Sequence, residues 1–159
     1  MVQKRKEQII LHFEKTISWV EKLNHVTEDE WRTPIAYNKW TLAEIVGHFK
    51  FWDEFVLFQR LPYFFENKPL PKAPDVNLMN HQSSILSKKN SKEATIFKFI
   101  ECRRNLIKAI NNLSNDLWNS EFFIGDSSYI LASYFESQVE HDLHHFNQIH
   151  QKLPRLSLQ

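Results

Sequence analysis

Glycine is almost missing from this chain, with two in 159 residues, and four of the six prolines crowd between Pro62 and Pro74. Long stretches are therefore left without a breaker, which is the pattern of long helices. No Val/Ile/Thr-rich alternating runs stand out, so no strands are required. There is one cysteine, Cys102, so no internal disulfide can form, which suits a reducing compartment. Charge of one sign is not in excess. Twenty basic residues stand against nineteen acidic ones for a formal net charge of +1, without the surplus that nucleic acid or an anionic membrane surface would call for. Long hydrophobic runs are missing too. The N-terminal run Ile9-Ile10-Leu11 is cut short by His12 and Glu14, so neither a signal-peptide core nor a membrane span is expected. The expectation is a soluble, cytoplasmic protein with neither nucleic acid nor membrane as partner.

What is present is apolar mass. The chain is 42% hydrophobic and 14% aromatic, enough to fill the core of one domain over residues 1–159. Ile9, Phe13, Ile17 and Val20 mark one stripe of a first helix from about Val2 to Leu23. Thr41 and Glu44 form a capping box at the start of a second, which runs to about Arg60. The segment 61–75 breaks it, and residues 76–87 are read as a short irregular helix. Ser91 is an N-cap for a third helix carrying Ile96, Ile100, Ile107 and Ile110. The fourth is expected to start near Ser127 or Ser128 and to end before Pro154. Four amphipathic helices pack as an all-α four-helix bundle, the Pro-rich connection lying across one end.

Four of the eight histidines fall within "VEHDLHHFNQIHQKL", residues 139–153. The apolar side of that helix is marked by Leu131, Phe135, Val139, Leu143, Phe146, Ile149 and Leu153. His141 and His145, four apart, share a face at the edge of this stripe beside Tyr134 and Gln138. His144 projects roughly opposite and is expected in solvent, while His150 lies near the apolar side without a partner at helical spacing. His48 occupies the corresponding border position on the second helix, next to Trp52 and Phe55. Two helices offering histidines at the margin of one core can close a three-imidazole metal site. The alternative for His48 is a core histidine bonded to a backbone carbonyl or a carboxylate.

Two strings carry a family likeness. "KWTLAEIVGHFKFWDE" is similar to the W-[ST]-x-x-E-[IV]-x-x-H-[LF] motif of the DinB-like superfamily, and "HDLHHFNQI" to its H-D-L-H-H-x-x-Q-I motif. The chain thus resembles these small four-helix-bundle, metal-dependent enzymes over nearly its whole length. The resemblance implies that the metal ligands fall on His48, His141 and His145, and that His144 is not one. It also implies zinc, nickel or a similar divalent ion, a low-molecular-weight bacterial thiol as possible co-substrate, a small-molecule substrate and a homodimer. The Lys-, Asn-, Ile- and Phe-heavy composition agrees with an AT-rich bacterial genome.

Three neutral imidazoles leave an ion its charge and an open position, the arrangement of catalytic sites. Hydrolysis and thiol transfer are both open on this reading, as is a binding bundle without catalysis. No general base stands out beside the three histidines, so the catalytic residues stay unassigned. Glu44 and Gln138 are candidates to orient ligands, although Glu44 is equally explained by its capping box. Arg103, within the apolar arc of the third helix, either grips a substrate carboxylate, snorkels outward or pairs with a buried carboxylate. Trp40, Trp52, Phe55 and Tyr134 either wall a pocket or belong to the core. Cys102 points away from the arc and is not expected to act as a nucleophile.

Overall fold

A computed structural model of the chain describes residues 1–66 and 68–156; residue 67 and the last three positions of the expected 1–159 domain lie outside it. The four expected long helices are α1 (Val2–Lys22), α3 (Leu42–Phe55), α5 (Lys92–Asn111) and α6 (Leu131–Lys152). Thr41 and Glu44 do form a reciprocal capping box at the start of α3, and Ser91 caps α5 by accepting from the Ala94 N–H at 3.1 Å. A second capping box, Thr27 with Glu30, starts the short α2 (Glu28–Arg32) within the connection between α1 and α3.

Three expectations are corrected. Residues 76–87 are not irregular: α4 (Val76–Lys89) is a regular helix whose N-cap is Asp75, accepting from the Leu78 N–H at 2.9 Å. Strands do occur, as an antiparallel hairpin of β1 (Glu121–Ile124) and β2 (Ser127–Ile130) turning at Gly125, whose φ of 56° favours glycine. Four-residue strands are too short for alternation to register in a sequence. Because β2 takes up residues 127–130, α6 starts at Leu131 rather than near Ser127. The second helix does reach Arg60, but its last stretch, Val56–Arg60, is a π-helical turn.

In the bundle, α5 lies between α3 and α1, and α6 lies against α1 and, less closely, against α3. Helices α1 and α3 are therefore diagonal, as are α5 and α6. Diagonal axes lie roughly 11–14 Å apart when neighbours are about 8–10 Å apart, which is why these two connections are long and carry α2 and the hairpin. Helix α4 packs outside the ring against α3. There the Gly47 backbone comes so close that a Cβ would lie 1.9 Å from Ser87 Oγ. The Pro-rich connection crosses one end of the core and joins the hairpin, Leu70 donating to the Phe123 carbonyl at 2.8 Å and accepting from the Gly125 N–H at 2.8 Å.

Two apolar clusters fill the ring. One centres on Trp31, Phe49, Phe99 and Phe146, the other on Phe13, Leu106, Trp118 and Phe135. Each fully buried phenylalanine is worth about 1.5–3 kcal/mol, so the aromatic content supplies much of the driving force. At the seam between the clusters sits Arg103, 2% exposed, its guanidinium carbon 4.7 Å from the Phe13 ring and 4.9 Å from Phe99. On α6 the expected core position Leu143 is 38% exposed, and its neighbour Asp142 turns inward.

Candidate metal centre

The sparse contact between α3 and α6 is where the histidines meet. His48 comes from α3, His141 and His145 from α6, and one ring nitrogen of each lies within 4.8 Å of the other two. His48 is buried, His145 half-buried and His141 more open. The His48 and His141 Nε2 atoms are 3.3 Å apart. Two nitrogens bound about 2.05 Å from a tetrahedral ion would be separated by about 3.3 Å, so this spacing is that of two ligands on one ion. His144 is exposed and only packs edgewise on His145, as expected.

Hydrogen bonds prepare the donor atoms. His48 Nδ1 donates to the Ile45 carbonyl and His145 Nδ1 to Gln148 Oε1 at 2.9 Å, which leaves the Nε2 lone pair of each neutral ring free. The carbonyl bond proposed as the alternative for His48 is thus present and is compatible with ligation. Trp40 closes the outer side, stacked on His145 at 6.1 Å and edge-on to His48 at 4.7 Å. The donor set is consistent with a metal site.

All three imidazoles are held neutral. Burial first, then the neighbouring histidines, lowers His48 well below its ordinary value, and the same causes take His145 from 6.5 to about 4. Burial also lowers His141, with Asp142 opposing. Acid will therefore destabilise the metal-free protein: the unfolded chain takes up protons below about pH 6.5 that the folded chain refuses until lower pH. Asp53 works the other way, because burial raises it to about 6, so folding gains from its protonation as pH falls through that value. Three imidazoles outweigh one carboxyl, and the melting temperature should drop by about 5 °C or more between pH 7 and pH 5. A flat profile across a calorimetric pH series would contradict this.

The other candidates separate by location. Trp52, Phe55, Tyr134, Gln138 and His141 all line a cavity of about 600 Å³ beside the histidines. Gln138 is not the orienting glutamine; that part falls to Gln148, within the "HDLHHFNQI" string but not singled out by the sequence reading. Glu44 is not at the histidines either. Its carboxylate accepts from Thr41 and, at 2.5 Å, from Ser84 Oγ, and so ties α3 to α4. Cys102 lies buried, its thiol pushed up to about 12 by burial, and so is no thiolate.

Arg103 does not offer itself to a substrate. Its Nε and Nη2 donate to Asp53 at 2.6 and 3.0 Å, Nη1 to Thr16 Oγ1 at 3.0 Å and Asp142 at 2.7 Å, and Nη2 also to Asp142 at 3.3 Å. These bonds use all five donors of a guanidinium. Asp142 also meets His12 Nε2 at 3.0 Å. Arg103 and His12 hold Asp142 low against its burial, while Asp53, the second carboxylate on one cation, is the one pushed up. The cluster takes His12 and Thr16 from α1, Asp53 from α3, Arg103 from α5 and Asp142 from α6. Asp53 and Asp142 escaped the sequence reading because an inward aspartate looks like any polar residue until its arginine is found.

Fold and site together define a helical-bundle protein with a three-histidine cluster consistent with a metal site. The chain belongs to the DinB superfamily, whose family model matches residues 8–149. Among solved structures it is similar to YfiT from Bacillus subtilis, described as "a probable metal-dependent hydrolase with an unusual four-helix bundle topology", with a TM-score of 0.78 and 16% sequence identity over 94% of this chain and 86% of that one. At this identity the likeness is one of fold. No curated protein matches. Among the described residues no helix is long and apolar enough to cross a membrane.

Proposed function

We propose that the protein is a metal-dependent enzyme in which His48, His141 and His145 hold one divalent ion and a small molecule enters through the adjoining cavity. The observation that carries this reading is the convergence of three neutral imidazoles, two with their Nδ1 atoms already bonded, on one point. When bound, the ion supplies Lewis acidity that makes water or a thiol a nucleophile near neutral pH. The chain does the rest. His48 and His145 keep their tautomers, Trp40 packs against both rings, and Trp52 and Phe55 make the approach to His141 largely apolar. YfiT's description as a metal-dependent hydrolase supports a hydrolytic reaction here; the motif resemblance supports thiol transfer.

The experiment is a screen of electrophilic esters, amides and epoxides with and without a low-molecular-weight thiol, on wild type and His141→Ala. Turnover that needs thiol and falls at least about a hundredfold in His141→Ala assigns an S-transferase. Thiol-independent turnover with the same loss assigns a hydrolase. A protein that turns over nothing in either condition yet retains a small molecule is a binder, and the enzyme reading then fails.

A further inference from the structure

The cavity beside the histidines contains a second arginine whose situation is the reverse of Arg103's. Arg60 ends the π-helical turn, is 2% exposed and lines the cavity wall. Its Nη1 donates to the Pro71 carbonyl at 2.5 Å, and its guanidinium lies 4.8 Å from the Phe55 ring and beside the Tyr134 hydroxyl, but Nε has no partner among the described residues. A buried guanidinium ordinarily has a carboxylate. The two carboxylates lining this cavity, Asp53 and Asp142, are both bound to Arg103. Lys72 is also among the residues that line the cavity. The cavity thus has a guanidinium with no carboxylate partner among the described residues, apolar lining from Trp52, Val56 and Ile124, and His141 in its wall.

We propose that Arg60 recognises a carboxylate at one end of an elongated, largely apolar small molecule whose other end lies at His141. A guanidinium suits a carboxylate because its planar fork matches two oxygens, and the Phe55 ring beneath it helps to hold the fork's orientation. Tyr134, Gln138 and His141 follow one another along a single face of α6. Seven residues of helix separate the first from the last, and Arg60 lies beside the Tyr134 hydroxyl, so the two ends of the ligand lie roughly 10 Å apart. The anion site does not depend on the metal reading; only the chemistry at its far end does.

The test uses 4-phenylbutyrate and its isosteric amide, titrated calorimetrically into the protein as purified and again after chelation. The carboxylate should bind at least about tenfold more tightly than the amide in both states. Arg60→Met should reduce that ratio to below about twofold while metal content stays unchanged, and Arg60→Lys should keep part of it. Equal binding of acid and amide by chelated wild type overturns the proposal without any variant. A preference that disappears on chelation overturns it too, since the carboxylate is then held by the ion. If Arg60→Met melts earlier but keeps the full preference, Arg60 is only a fastener for Pro71 and the proposal fails. Loss of metal binding without loss of the acid preference would count against the enzyme reading alone.

Discussion

Purified without an affinity tag, the protein will carry one divalent ion per chain, and alanine at His48, His141 or His145 will remove it whereas His144→Ala will not. The three differ from the fourth in where they point rather than in chemistry. His144 is adjacent in sequence to His145, yet it faces solvent, and the nitrogens of the other three lie within 4.8 Å of one another. Losing one of three imidazoles removes a bond and leaves two donors on separate helices with no third to hold the geometry, so affinity should fall at least about a hundredfold, the upper end for a supporting residue. Gln148→Ala, which frees the His145 ring without removing it, should cost less, about tenfold. Elemental analysis of each variant reads this out. Equal metal loss from His144→Ala and His141→Ala would contradict the assignment.

Replacement of Arg103 by methionine will be the most damaging single change in the core. It leaves Asp53 and Asp142 buried together with only His12 to compensate them, and breaking a buried ion pair costs about 3–5 kcal/mol. Domains of this size have about 5–15 kcal/mol in all. Asp142→Asn should cost less, and Asp53→Asn least, because it leaves Arg103 and Asp142 as a one-to-one pair and removes the carboxyl that burial already raises to about 6. Urea denaturation of the chelated proteins gives the order. If Asp53→Asn proves the worst of the three, the electrostatic account of the cluster is wrong. Since the cluster ties α3 to α6 through Asp53 and Asp142, Arg103→Met should also weaken metal binding, although Arg103 touches none of the three histidines.

Local patterns in the chain determined a good deal. The stripes of α1 and α5, the Thr41 and Ser91 caps and the border positions of His48, His141 and His145 all follow from helical periodicity and capping chemistry within a few residues of one another. The stop before Pro154 has the same local origin. Only tertiary structure decided the rest. Whether Arg103 faces a substrate or two aspartates depends on residues 39 and 50 positions away. Glu44 looked available until Ser84 on α4 took up its second oxygen, and the orienting glutamine proved to be Gln148 because the His145 ring turns toward it. Strands β1 and β2 are stabilised by each other and by Leu70 from a distant connection, so neither announces itself in sequence. The cavity wall they build, and the setting of Arg60 within it, exist only once those segments have been brought together. Interactions between residues close in sequence leave a periodic or capping signature that can be read in one dimension. Charge pairing and enclosure between distant segments leave none, because their partners are chosen by the packing.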